Sequence, residues 1–169
     1  MSERQQRKFG RNMFWLMWLV LLGLLTLFFS KVLDRQYNPN QNLAQRMVGK
    51  AQEVVLVRNK YGHYVASGLI NQQPVVFMLD TGASDISIPQ STAQRLGLKR
   101  GRPVVYQTAN GQVINYATRL GSVTLGNLTL QDVSASINPN MSGDDVLLGM
   151  SFLKHVEFSQ KGNTLTLRR

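Results

Sequence analysis

A long uncharged run near the N-terminus constrains this chain more than any other feature. Residues 13–29, MFWLMWLVLLGLLTLFF, carry no charge, and only Gly23 and Thr26 interrupt the large apolar side chains. Extended by one residue at each end, the run is about long enough as a helix to cross a hydrocarbon core of roughly 30 Å. Apolar side chains on every face leave no polar side for water, which argues against a helix packed in a soluble domain. We therefore predict a transmembrane anchor over residues 13–30.

The charges that precede the run predict its orientation. Residues 1–12, MSERQQRKFGRN, hold four Lys or Arg residues and one acid, Glu3. By the positive-inside rule this end stays in the cytoplasm, and the rest of the chain crosses the membrane. A cleaved signal peptide would have a shorter apolar core and small residues at its cleavage site, whereas this run ends in LFFSK. We expect a retained signal-anchor in the inner membrane, with the folded part in the periplasm.

Composition separates a linker from one folded domain beyond the anchor. Residues 31–52 are polar and rich in Asn and Gln, and they are predicted to form a linker. Residues 53–169 then form a single domain. The chain has no cysteine, and its two histidines, His63 and His155, stand alone in strand-like surroundings. Disulfides and Cys-based metal sites are excluded, and we expect neither a metal nor a cofactor.

The net charge of +10 raises the question of a nucleic-acid partner. Four of the 19 cations precede the apolar run, where they set its orientation. The largest remaining cluster, RLGLKRGRP at residues 95–103, lacks the interleaved aromatic residues of a nucleic-acid groove. It is predicted to be a solvated basic loop with a modest attraction to anionic membrane surfaces. No nucleic-acid partner is expected.

Short β-strand signals dominate the folded part. EVVLVR, HYVASGLI and PVVFMLD read as three consecutive strands joined by hairpins, and Asn110-Gly111 marks a hairpin between PVVYQT and QVINYATRL. SVTLG, NLTLQDVSASI, VLLG and two closing strands follow. Short helices are predicted at STAQRLGL, with Ser91 as N-cap and Gly97 at its end, and at MSFLKH. The fold class is therefore an all-β, barrel-like domain with one or two short helices.

One acidic residue stands where burial is expected. In FMLDTGASDISIP, residues 77–89, Asp80 follows an apolar strand. A lone buried carboxylate is costly, but two that share a site hold one proton between them and can act as base and acid together. Gly82 lets backbone amides approach such a carboxylate, and the hydroxyls of Thr81 and Ser84 can fix the turn. The alternative is an ordinary turn after a strand, with Asp80 as its hydrogen-bond acceptor.

The stretch LDTGAS, residues 79–84, resembles the active-site motif of retropepsin-like aspartic proteases, in particular their membrane-anchored bacterial members. The resemblance covers residues 53–169 and implies a catalytic role for Asp80. It implies supporting roles for the rest of the catalytic loop, Thr81, Gly82, Ala83 and Ser84.

Two further segments carry the resemblance. In the family an apolar-Gly motif packs beneath the catalytic loop, and VLLG matches it through Leu147, Leu148 and Gly149. The family also has a β-hairpin flap that closes over substrate, and QTANGQ falls in the expected interval. The resemblance implies that the flap contacts come from Thr108, Ala109, Asn110 and Gly111. Taken alone, VLLG is also typical of a core strand, and the NG hairpin of a plain surface turn.

The number of motifs predicts how such a site is completed. The chain contains one Asp-Thr-Gly, and Asp144-Asp145 has no such motif around it. A symmetric homodimer places a residue near its two-fold axis beside its own copy, so Asp80 of two chains can form the pair. The resemblance further implies that Thr81 contacts its copy across the axis, that Gly82 accepts from substrate backbone, and that a peptide binds in extended form.

Three functional hypotheses follow. The first is a membrane-anchored aspartic endopeptidase, a hydrolase that works as a homodimer. The second is a catalytically idle domain of the same fold that binds a partner protein at the membrane. The intact Asp80 motif favours the enzyme, because a binding module has no use for a buried carboxylate. The third, a nucleic-acid or anionic-lipid binder, predicts a steep salt dependence and ranks last.

Overall fold

The computed structural model describes residues 3–43, 53–108 and 111–169. The chain divides into two compact units, Met1–Gln36 and Tyr37–Arg169. Within the described residues, one long helix accounts for the first unit, and ten strands with two short helices build the second.

Helix α1, Glu3–Tyr37, contains the apolar run. Its part Asn12–Tyr37 is long and apolar enough to cross a membrane, and its large apolar side chains are exposed on all faces. A lipid-facing helix requires such a surface. The helix continues past residue 30, the predicted end of the membrane anchor, because KVLDRQY consists mainly of good helix formers. It ends at Tyr37 because Pro39 disfavours the helical conformation of the residue before it.

The segment after α1 departs from the predicted linker over residues 31–52. Asn38, Asn40 and Leu43 are buried, with only 5%, 1% and 6% of their surface exposed. They belong to the unit that begins at Tyr37, so the folded unit starts before the predicted boundary at residue 53. The remainder of the predicted linker, residues 44–52, lies outside the described residues.

Asn40 fixes this segment to two strands that do not pair with each other. Its Oδ1 accepts from the N–H of Val57 at 2.8 Å. Its Nδ2 donates to the carbonyls of Val57 and Val65, each at 2.8 Å. Since these backbone groups stand at the end of one strand and the start of another, the side chain replaces the missing ladder bonds between them.

Substitution of Asn40 by Ala is expected to lower the free energy of unfolding by about 2–4 kcal/mol, because it leaves several buried backbone groups without partners. Urea unfolding of the detergent-solubilised full chain, followed by circular dichroism, measures the change. The matched control is Asn42→Ala, since Asn42 is exposed in the same segment. Equal unfolding midpoints for the two variants would show that residues 38–43 are a linker after all.

Six strands close into a barrel, which confirms the predicted all-β, barrel-like fold. In order around the barrel they are β2 (Val65–Ile70), β3 (Gln73–Leu79), β8 (Val146–Leu148), β4 (Ile86–Pro89), β7 (Leu128–Asn138) and β6 (Gly111–Leu125). β6 returns to β2 through the pairs Leu69↔Thr124 and Ile70↔Val123. β6 is continuous through the two segments predicted as separate strands, and β5 (Pro103–Thr108) pairs with its first half as a projecting hairpin.

A second, three-stranded antiparallel sheet consists of β1 (Glu53–Val57), β10 (Thr164–Arg168) and β9 (Glu157–Lys161). The predicted hairpin between β1 and β2 is therefore wrong, whereas the β2–β3 hairpin is observed. The side chain of Asn59 accepts from the N–H groups of Tyr61 and His63, each at 3.0 Å, and closes the intervening turn on itself. β1 pairs instead with β10, whose alternation of buried and exposed residues matches its own.

Two short helices follow buried strands. The prediction that Ser91 caps α2 (Gln90–Arg95) is wrong, because Pro89 holds the cap position. The Oγ of Ser91 donates instead to Oδ1 of Asp144 at 2.9 Å. Gly97 ends this helix with a φ of +66°, as a C-terminal glycine is expected to do. The second helix, α3 (Met150–Leu153), follows β8 directly.

Candidate active site

Asp80 stands at the end of β3, where the strand leaves the barrel. Its N–H donates to the carbonyl of Leu148 in β8 at 3.2 Å, which extends the β3–β8 ladder by one residue. Its half-buried carboxylate accepts from the N–H of Gly82 at 2.8 Å through Oδ1. Its carbonyl accepts from the N–H of Ala83 at 3.3 Å. The loop therefore closes on the Asp80 carboxylate and holds it at the mouth of the barrel.

The apolar-Gly segment packs against this loop. The N–H of Met150 donates to the carbonyl of Ala83 at 2.8 Å. A Cβ at Gly149 would lie 2.1 Å from the carbonyl oxygen of Asp85 and 2.6 Å from that of Ala83. Only a glycine permits two backbones to approach so closely. The structure thus brings together Asp80, Ala83, Leu148 and Gly149, four residues that the sequence placed in two separate motifs.

The other residues of the catalytic loop face outward. Thr81, Gly82 and Ser84 are exposed, and Ala83 is half-buried. Asp80 and Thr81 also border a cavity of about 390 Å³. Its walls are largely apolar side chains of the second sheet and its neighbours, among them Leu165, Leu167 and the exposed Phe158. This face leaves the Asp-Thr-Gly turn accessible.

The predicted flap is a projecting β-hairpin. β5 and β6 pair from Pro103↔Tyr116 to Thr108↔Gly111, and Gly111 has a φ of +104°. That conformation suits the glycine of an Asn-Gly turn. Two of the four predicted flap residues, Ala109 and Asn110, lie outside the described residues. The flap role of all four stays a prediction.

A hydrogen-bonded carboxylate that the sequence did not indicate joins the hairpin to the catalytic loop. Oδ2 of Asp85 accepts from the hydroxyl of Tyr106 in β5 at 2.5 Å, and Oδ1 accepts from Oγ of Ser136 in β7 at 3.1 Å. Nδ2 of Asn115, in β6, donates to that Oγ at 3.2 Å. Both strands of the hairpin are therefore bonded to one network around Asp85.

Burial dominates the electrostatics of this network. It raises the pKa of Asp85, although the hydrogen bonds from Tyr106 and Ser136 oppose the rise. Burial, followed by the bond to Asp85, raises the pKa of Tyr106 to about 12. Tyr106 therefore stays protonated, and a hydrogen-bond donor to Asp85, at neutral pH. An acidic residue directly before the buried strand β4 was the only signal in the sequence for this site.

Comparison with known proteins agrees with this geometry. The crystal structure of a retropepsin-like aspartic protease from Rickettsia conorii is 31% identical to the chain and superimposes with a TM-score of 0.59. The similarity covers 72% of this chain and 96% of that one. The family described as "gag-polyprotein putative aspartyl protease" matches residues 66–155, more than half of the chain. The chain belongs to the retropepsin-like aspartic protease family.

Two curated relatives of this retropepsin-like protein are described as uncharacterized proteins. One, from the cobV 5' region of Sinorhizobium sp, is 31% identical over 112 residues, which are 64% of this chain and 48% of the relative. The other, RP867 of Rickettsia prowazekii, is 35% identical over 107 residues, which are 60% and 45% of the two chains. The chain thus spans less than half the length of the curated relatives that it matches.

Three acidic residues lie close to the catalytic loop in sequence or just before β8, and each has a hydrogen-bond partner other than Asp80 in this retropepsin-like domain. Asp85 accepts from Tyr106 and Ser136, as described. Asp144 accepts from Ser91, and Asp145 accepts from the hydroxyl of Tyr37. Among the residues that the structure describes, no group of three or more His, Cys, Asp or Glu could hold a metal ion. The carboxylates of Asp85, Asp144 and Asp145 are therefore engaged with partners other than Asp80.

Proposed function

We propose that the chain is a membrane-anchored aspartic endopeptidase whose catalytic pair consists of Asp80 from each of two identical chains. The observation that carries the proposal is the Asp-Thr-Gly turn itself, with its carboxylate held by Gly82 and its outer face exposed. Membership of the retropepsin-like family supports the same chemistry. The other carboxylates of the barrel described above are engaged, which supports a pair formed between chains.

The chemistry follows from two carboxylates that share one proton. Carboxylates about 3 Å apart cannot both ionise, so one takes a proton from water while the other protonates the peptide carbonyl. A two-fold axis next to Asp80 supplies the second carboxylate without a second motif. In this arrangement Thr81 contacts its copy, and the carbonyl of Gly82 accepts from the substrate backbone.

The hairpin and the catalytic loop together form the proposed substrate-binding site. An extended peptide between the hairpin and the catalytic loop satisfies its backbone groups in the manner of an added strand. We infer that residues 108–111 cover the peptide and exclude water from the reacting carbonyl. Ala83 and Ser84 shape the loop beneath it, and Leu147, Leu148 and Gly149 support the loop from below.

The anchor places the reaction at a membrane. The basic residues before the apolar run favour a cytoplasmic N-terminus, which puts the domain in the periplasm. Two chains anchored in one membrane share a surface, which raises their effective concentration and favours pairing.

The deciding experiment is the dependence of cleavage on protein concentration. Detergent-solubilised full chain is diluted serially, and cleavage of a peptide library is measured beside the molecular mass by light scattering. Specific activity is expected to fall on dilution in step with the dimer, and a statine-type transition-state mimic is expected to block it. Undiminished specific activity of a monomer would reject the shared pair. Peptide binding without cleavage at any concentration would favour an idle binding domain.

A further inference from the structure

A groove with strong positive charge lies beside the hairpin, and none of its lining residues belongs to the catalytic loop. Its volume is about 850 Å³. Four cations line it, Lys99, Arg100, Arg102 and Arg119, and the one carboxylate among its described lining residues is Asp85. We call this feature, defined by these five residues, the basic groove. The sequence had indicated only a solvated basic loop here.

The loop that carries three of these cations is held in place by backbone hydrogen bonds. The N–H of Gly101 donates to the carbonyl of Ala117 at 2.7 Å, and the N–H of Ala117 donates to the carbonyl of Arg102 at 2.9 Å. The hydroxyl of Thr118 donates to the carbonyl of Lys99 at 3.0 Å. Because the loop is bonded to β6, its charges are presented by an ordered backbone, which reduces the entropy cost of binding.

The positive charge of the basic groove is only partly neutralised. Both carboxylate oxygens of Asp85 already accept from hydroxyl groups, and its burial raises its pKa. Arg119 pairs with the exposed Asp132. Lys99, Arg100 and Arg102, the three cations of the loop, form no ion pair with a carboxylate in the part of the chain that the structure describes.

The three loop cations differ in how available their charges are to a ligand. Arg100 donates to the side-chain oxygen of Gln90 and lies over the ring of Tyr116, 4.6 Å from its centroid. This contact keeps the guanidinium in a fixed position beside the hairpin. Lys99 and Arg102 are exposed, and their charges are available to a ligand.

The position of the basic groove connects it to the candidate active site. Asp85, five positions after Asp80, and Val104 and Tyr106 of the hairpin are among its lining residues. A peptide that lies extended between the hairpin and the catalytic loop advances about 3.3 Å per residue. In the proposed binding mode, residues a few positions from the reacting bond lie beside the groove, because the hairpin borders both.

We propose that the basic groove binds an acidic side chain of the peptide substrate, so that the protein selects peptides with Asp or Glu several residues from the cleaved bond. This inference rests on the proposed function, because it takes the substrate to be a peptide under the hairpin. Charge complementarity carries it: Arg and Lys form the short, charge-assisted hydrogen bonds that carboxylates prefer. A concave groove with hairpin side chains in its wall suits a peptide better than a flat membrane surface.

The test separates binding from cleavage by using the full chain with Asp80→Asn in neutral detergent. Fluorescent decapeptides that differ only in Glu, Gln or Lys at one scanned position are titrated, and fluorescence anisotropy gives the dissociation constants. The Glu peptide is expected to bind about tenfold more tightly than the Gln peptide at its best position, a difference of about 1.4 kcal/mol, because its carboxylate forms charge-assisted hydrogen bonds that the amide does not. The preference is expected to weaken as salt rises.

Variants of the exposed cations locate the effect. Lys99→Ala with Arg102→Ala is expected to remove the Glu preference, and Arg102→Glu is expected to shift it toward the Lys peptide. The matched control, Lys154→Ala with Lys161→Ala, removes two exposed cations elsewhere and is expected to keep the preference. An equal loss in the control, or an unchanged preference in both loop variants, overturns the proposal.

Three further outcomes distinguish this inference from its alternatives. Phosphatidylserine vesicles that displace every peptide alike, where phosphatidylcholine vesicles do not, would assign the groove to a membrane contact and overturn it. If the wild-type protein cleaves peptides without any preference for Glu, the proposed function stands and the proposed role of the basic groove is wrong. If the protein binds Glu peptides selectively but cleaves none, the proposed function is wrong and the role of the basic groove stands.

Discussion

Replacement of Asp80 by Asn is expected to lower kcat/KM for peptide cleavage at least about a thousandfold while the barrel stays folded. Asn has the shape of Asp, and its amide oxygen can still accept from the N–H of Gly82. It cannot take a proton from water or return one to the substrate. Cleavage assays on the full chain in detergent, with circular dichroism as the folding check, measure the two effects.

The matched control is Asp132→Asn. Asp132 is exposed and pairs with Arg119 at the surface, where an ion pair contributes little to stability or reactivity. This variant is expected to cleave peptides at nearly the wild-type rate. A similar loss in both variants would mean that the assay reports general damage to the domain rather than the loss of a catalytic carboxylate.

Mixing extends this prediction to the shared pair. When wild-type and Asp80→Asn chains are mixed in equal amounts and allowed to exchange, about a quarter of randomly formed dimers contain two intact Asp80 residues. Total activity is therefore expected to fall to about a quarter of that of the same amount of protein made entirely from wild-type chains. A chain that works alone retains half. Activity of about a quarter, and not a half, therefore indicates that the catalytic pair consists of Asp80 from two chains.

The packing of the two sequence motifs against each other follows from local sequence. Asp80, Ala83, Leu148 and Gly149 come together as the two motifs imply, because each motif determines its own backbone and β3 and β8 pair directly. The barrel-like fold followed from strand-length apolar segments separated by turn signals. These are properties that a few neighbouring residues determine.

The contacts that the sequence did not reveal join distant positions. Asp85 depends on Tyr106, 21 positions away, and on Ser136, 51 positions away, so no local pattern shows its role. β1 has a turn signal toward β2, but its alternation fits β10 more than 100 positions later in the chain. Asn40 looks like a linker residue until its buried backbone partners are known.

Substitution of Gly149 by Ala is expected to destabilise the domain by about 3 kcal/mol or more, a large part of the 5–15 kcal/mol typical of a whole domain. The added Cβ would stand 2.1 Å from the carbonyl oxygen of Asp85 and 2.6 Å from that of Ala83. Both neighbours are backbone atoms, so no flexible side chain can move aside. Urea unfolding of the full chain measures the loss.

The control for backbone conformation is Gly162→Ala. Gly162 has a φ of +57° and open space around its Cβ direction, so alanine there costs about 1 kcal/mol through conformation alone. Gly149 has no such φ, and its larger expected effect comes from steric overlap. Equal destabilisation by the two substitutions would show that the two loops can separate at little cost.

Gly149 also connects stability to the candidate chemistry. The close approach that it allows holds β8 against the catalytic loop, and the carbonyl of Leu148 in β8 accepts from the N–H of Asp80 at 3.2 Å. Loops forced apart by an added methyl group shift Asp80 relative to its copy across the proposed axis. At a temperature low enough for Gly149→Ala to remain folded, peptide cleavage is therefore expected to fall much more than in Gly162→Ala. Because two carboxylates must approach within about 3 Å to share a proton, displacement of each loop by a fraction of that distance suffices.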